Sequence, residues 1–115
     1  NLIDIARIIS DAFIACSVEF GAEWQAVSAA LQGDGAMEAF HQRLLDRYVE
    51  TYRNALAPYS TLAHAALRLR CVAIVGAAEA IARDMMLTRA DQATASATLA
   101  SLIISSIAPP APGRR

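Results

Sequence analysis

The sequence predicts an all-α domain: a five-helix antiparallel bundle over residues 1–108, with a disordered tail over 109–115. Three observations lead to it. Apolar residues recur at helical spacing along nearly the whole chain, and no stretch alternates with the period of two that a half-buried strand needs. Only four Pro and five Gly interrupt 115 residues. Hydrophobic residues make up 56% of the chain against 18% charged, which argues against disorder and leaves apolar surface over for a partner. A domain of this length buries roughly two-thirds of its unfolded surface, enough for a core.

The first helix is expected over Leu2–Phe20, with Leu2, Ile5, Ala6, Ile9, Phe13, Cys16 and Phe20 on one stripe. Ile3, Ile8, Ile14 and Val18 fall outside that stripe. Gly21 is expected to break the helix, and a short one follows over Ala22–Leu31, carrying Trp24 and Val27. In the turn Gly33-Asp34-Gly35, Asp34 is the expected N-cap of a third helix, Ala36–Leu56. That helix is the cleanest amphipath: Met37, Phe40, Leu44, Leu45, Tyr48, Tyr52 and Leu56 face one way. Arg43–Asp46 and Arg47–Glu50 are spaced to pair on its other side, for a few tenths of a kcal/mol each. Pro58 ends it by disfavouring helical geometry at Ala57. Ser60 or Thr61 is expected to cap a fourth helix, Thr61–Leu87, nearly 40 Å long at about 1.5 Å per residue. Thr88, with Asp91 three residues on, is expected to cap a fifth helix that runs to Ala108, before Pro109 and Pro110.

The charge pattern excludes several functions. Net charge is −1, Lys is absent, and the first basic pair is Arg114-Arg115. Binding nucleic acid draws on a basic surface that releases counterions, so this chain alone is not expected to bind DNA or RNA. The longest apolar run, Cys71–Ala78, is too short to span a bilayer, so no membrane is expected. Cys16 and Cys71 are isolated and read as two buried thiols in a reducing cytoplasm. The chain opens at Asn1 inside a helical pattern, which suggests a fragment with an upstream segment missing.

The fourth helix carries two apolar stripes. Leu67, Cys71, Ile74, Ala78, Ile81 and Met85 form a bulky one; Leu62, Ala66, Leu69, Ala73, Gly76, Ala77 and Ala80 form a small one. Small side chains let another helix come close. Gly76 costs about 1 kcal/mol relative to Ala inside a helix, which such an approach would offset. The fifth helix is also two-faced, with Ala93, Ala97, Ala100, Ile104 and Ile107 on one side and Ala95, Leu99 and Leu102 on another. One chain this short cannot easily cover all four faces. The expected solution is a homodimer in which the last two helices pair with their copies as a four-helix bundle, through Leu69, Ala73, Gly76, Ala77, Ala80, Ala100, Ile104 and Ile107. The other reading is a monomer in which the first and third helices cover everything.

At this point a resemblance enters. "LRLRCVAIVGAAEAIARDMM", the link "LTRAD" and "QATASATLASLIISSI" together resemble the C-terminal end of TetR-family transcriptional regulators. "DGAMEAFHQRLLDRYVETYRNALAP" resembles the helix before that pair. The resemblance implies a dimerising helical domain with a small-molecule pocket, whose ligand alters DNA binding by an N-terminal helix-turn-helix domain. No residue of such a DNA-binding domain occurs here, so DNA is implied as a partner only through a segment outside this chain.

His41 falls on the apolar face of the third helix, near Met37, Leu45 and Tyr48. A buried imidazole needs hydrogen-bond partners. With Phe13, Trp24, Tyr48 and Tyr52 it would line a mostly apolar pocket with a few polar points, suited to a small apolar or amphipathic effector. The alternative is a satisfied core histidine among packed aromatics. Glu38-Ala39-Phe40-His41 is a single E-x-x-H, and a di-iron bundle needs two with further carboxylates, so no metal and no other cofactor is expected. Arg68, Glu79 and Arg83 read as a solvated edge or a dimer rim. No nucleophile motif or phosphate loop is present, and an enzyme is not expected. The other functional reading is a stand-alone helical protein-interaction module without a pocket.

Overall fold

The computed structural model describes residues 1–30 and 33–109 and is all-α among them. It has four α-helices, α1 (Leu2–Ala30), α2 (Gly35–Leu56), α3 (His64–Thr88) and α4 (Gln92–Ile107), with a 3-10 turn at Ala57–Tyr59. The molecule is elongated, 52 × 31 × 22 Å. Of the tail expected over 109–115, residues 110–115 lie outside the described residues, as does Leu31.

The break expected at Gly21 does not occur. The first two expected helices are one, 29 residues long. One Gly costs only about 1 kcal/mol in a helix, and helix formers such as Ala22, Glu23 and Ala26 flank it. Tertiary packing gives a further reason for Gly there. A Cβ on Gly21 would lie 2.9 Å from the Met86 sulfur, so Gly lets α3 lay that side chain against α1.

The turn into α2 forms as expected. Gly33 sits at φ 87, where a side chain would be strained. The Asp34 carboxylate accepts hydrogen bonds from the backbone of Ala36 at 2.8 Å and Met37 at 3.3 Å. On the outer face of α2 the pairs differ from those expected. Gln42 donates to Asp46, and Arg53 pairs with Glu50 at 3.0 Å. Arg53 also lies 3.3 Å from Nδ1 of His64, tying α2 to the start of α3.

Capping differs at both later helices. Ser60 accepts from the Leu62 backbone, and α3 starts three residues after Thr61, with Ala63 as an N-cap that makes no side-chain bond. Thr88 belongs to the end of α3, where its hydroxyl donates to the Asp84 carbonyl. The cap of α4 is Asp91, which accepts from the Thr94 backbone and hydroxyl, both at 3.0 Å. Between them Arg89 takes a left-handed conformation that turns the chain.

α1 runs chiefly against α4, with α3 alongside both and α2 on the outer side of α3. The main core holds Ala6 and Ile9 of α1, Tyr52 and Leu56 of α2, Leu67 and Ile74 of α3, and Leu99, Ile103 and Ile107 of α4. The bulky stripe of the fourth helix is thus the buried one, joined by Val75 and Ala82. Ile14, outside the expected stripe, is fully buried with Met85 and Ala95. Ile3, Ile8 and Val18 are exposed. Arg70 donates to the Ser106 carbonyl at 2.8 Å, and Ser96 donates to the Asp11 carboxylate, fastening α4 to α3 and to α1.

Ser10 is fully buried, and its hydroxyl has no hydrogen-bond partner among the described residues. An unpaired buried hydroxyl costs about 1–3 kcal/mol. Ser10→Ala should therefore raise stability in a denaturant titration. Leu99→Ala, at a fully buried position, should lower it by about 2–5 kcal/mol.

Candidate functional site

The C-terminal half of α2 enters the core through Val49, Tyr52 and Leu56. Its N-terminal half does not: Met37, His41, Leu44 and Leu45 are only partly covered. The difference is a cavity of about 740 Å³ between α1, α2 and α3. Such a volume suits a drug-sized molecule. α1 contributes Phe13, Cys16, Ser17, Phe20, Gly21 and Gln25; α2 contributes Met37, Glu38, His41, Leu44, Leu45 and Tyr48; α3 contributes Glu79, Ala82, Arg83 and Met86.

Of the expected site residues, Phe13 from α1 and His41 and Tyr48 from α2 line this one cavity. Phe13 and Tyr48 meet edge to face with ring centroids 5.7 Å apart. Tyr52 stands behind Tyr48, centroids 6.0 Å apart, but it belongs to the core and does not line the cavity. The Trp24 side chain lies outside the described residues.

His41 is half-buried rather than enclosed, and its Nε2 lies 3.4 Å from a carboxylate oxygen of Glu79. Glu79 is thus not on a solvated edge. It reaches into the cavity, and Arg83 lines it one turn further on. Cys16, expected to be buried, is exposed and faces the same space; Cys71 is buried. Burial, then the neighbouring Cys16 and Glu79, push the Tyr48 phenol above its ordinary range. Burial dominates again for Tyr52, followed by Tyr48 and Cys16, and the shift upward is large. Burial likewise raises the Cys71 thiol.

Pattern reasoning missed Glu79, Arg83, Cys16, Met37 and Met86 as cavity groups. Glu79 and Arg83 sit on a helix flank that looks solvated until the register of α2 against α3 is known. The signal available was His41, an imidazole on an apolar face in need of a partner.

The small stripe of α3 stays outside the molecule. Leu69 is 68% exposed, Ala73, Gly76 and Ala80 are exposed, and Ala77 is partly covered. A Cβ on Gly76 would meet nothing within 4 Å. α4 departs from the expected surface. Ile107 is 1% exposed and belongs to the core, so it is not available to a partner. Ala100 and Ile104 are partly covered and pack against that core. The exposed large apolar residue of α4 is Leu102, beside an open groove along Ala93, Ala97 and Ser101.

Among the described residues no three His, Cys, Asp or Glu side chains are grouped to hold a metal, and no helix is long and apolar enough to cross a membrane. No family model, no curated protein and no solved structure matches the chain.

Two measurements follow. The raised phenols of Tyr48 and Tyr52 stay protonated in the native state where those of the unfolded chain would ionise. Their contribution is fully present below the ordinary phenol value of 10.0 and is lost as pH rises through the higher native values. Stability should fall above about pH 10, and Tyr52→Phe should flatten that fall in an alkaline unfolding series. Separately, Gly21→Leu should displace Met86 and fill part of the cavity. Uptake of the neutral dye Nile red, read by fluorescence, should weaken while the helical circular dichroism is kept.

Proposed function

We propose that this chain is the effector-sensing and homodimerising domain of a TetR-like transcriptional repressor. A small apolar or amphipathic molecule occupies the cavity and alters DNA binding by a helix-turn-helix domain outside this chain. The observation that carries the reading is the cavity itself: a helical domain of this size otherwise closes its core, yet here three helices hold about 740 Å³ open.

The mechanism needs no bond chemistry. α3 gives one flank to the cavity, through Glu79, Ala82, Arg83 and Met86. Its small-residue flank, Leu69, Ala73, Gly76 and Ala80, is the proposed contact with a second copy, with Leu102 of α4 as an added anchor. One rigid helix thus touches both the effector and the partner. An effector that fits one position of α3 better than another shifts the population of dimer geometries by that difference in affinity. The cell compartment consistent with this role is the cytoplasm.

Exposed Ile3 and Ile8 on α1 favour a second reading, a helical module that binds another protein through that face.

Sedimentation of the whole chain should give the dimer mass. Gly76→Leu should shift it toward the monomer, because a Cβ there meets nothing within 4 Å among the described residues, and the added bulk is directed at the proposed partner. Nile red should still bind the variant. A parent chain that sediments as a monomer would remove the dimer, and a cavity that takes up no dye would remove the effector.

A further inference from the structure

The walls of the cavity say something about the charge of its occupant. Among the described lining residues Glu38, His41, Glu79 and Arg83 carry the acidic and basic side chains, beside the Cys16 thiol and the Tyr48 phenol. Glu38 and Arg83 are exposed and opposite in sign, so solvent and salt weaken both and their fields offset. Glu79 is different. Its side chain is 28% exposed, less than that of His41. Arg83 is spaced one turn away to pair with it, yet no ion pair joins the two; the Glu79 carboxylate turns to the His41 ring instead. A partly desolvated carboxylate acts over a lower effective dielectric than the rim charges do.

The surroundings match. Phe13 and Tyr48 both line the cavity with their rings edge to face, aromatic groups of the kind that attract a cation, and the Glu79 charge acts on Tyr48. Met37 and Met86 supply adaptable apolar surface for the rest of a ligand. An anion placed on Arg83 would share the cavity with two carboxylates.

We infer that the cavity takes a hydrophobic cation, an amphiphile with an apolar or aromatic body and one ammonium group seated on Glu79 beside Phe13 and Tyr48. This rests on the effector-pocket reading above. His41 is the group the ammonium displaces from, or shares with, the carboxylate.

Three probes with one skeleton test it on the full chain: naphthylhexylamine, naphthylhexanol and naphthylhexanoate, titrated by calorimetry. The amine should bind about tenfold more tightly than the alcohol, and the carboxylate most weakly. Glu79→Gln should bring the amine to the level of the alcohol, and helical circular dichroism equal to that of the parent shows that the variant is folded. Arg83→Gln should preserve or increase the preference for the amine. The inference is overturned if the carboxylate binds most tightly, or if Glu79→Gln leaves the amine-to-alcohol ratio as it was. Binding of the alcohol with no gain for the amine would defeat the charge assignment while leaving an effector pocket. Binding of none of the three would defeat the pocket and this inference with it.

Discussion

The packing of α1 along α4 holds the rest of the molecule in place. Ala6 and Ile9 share a core with Leu99, Ile103 and Ile107, and the bulky flank of α3 closes on both. These contacts are apolar, close and continuous, and burying each large aliphatic side chain contributes about 1.5–3 kcal/mol. With three helices so fixed, α2 has one place left for its apolar stripe, the outer side of α3. Only its C-terminal half reaches the core there. The N-terminal half, held from Asp34 by a well-formed cap, stands off from α1, and the space between becomes the cavity.

The same constraint divides α3 into three flanks. One is core, one is cavity wall, and one is bare. A helix that is apolar on most sides is ordinarily an interior helix. Here the side lined by Leu69, Ala73, Gly76 and Ala80 is exposed among the described residues. A second copy of the chain is the cover proposed above, and it would place an interface on the back of the helix that lines the cavity. Coupling between the two then needs no long chain of contacts, because one element bears on both sites.

Charge in this protein matters by position rather than by amount. A net charge of −1 gives no field to steer a nucleic acid. Inside the cavity a single half-covered carboxylate, Glu79, faces the His41 ring beside two aromatic side chains. Its influence comes from partial removal from water, which the exposed Glu38 and Arg83 do not share.

Much of the architecture could be read from the chain alone. Helical periodicity places α2, the long α3 and α4 to within a few residues and separates the bulky stripe of α3 from the small one, because amphipathic spacing is a local property that any core must respect. The N-cap at Asp34 was legible for the same reason. Gly21 misled, since a single glycine breaks a helix only where packing does not hold it, and here Met86 lies against it. The candidate site was legible in part. Phe13, His41 and Tyr48 announced themselves as aromatic or polar groups on apolar faces; Glu79, Arg83 and Cys16 did not, nor did the burial of Ile107. What the sequence determined by itself is the set of helices and which stripe of each seeks cover. Only the tertiary structure decided the register between them, and hence which side chains share the cavity, because register is set by the sum of contacts across helices that are distant in the chain.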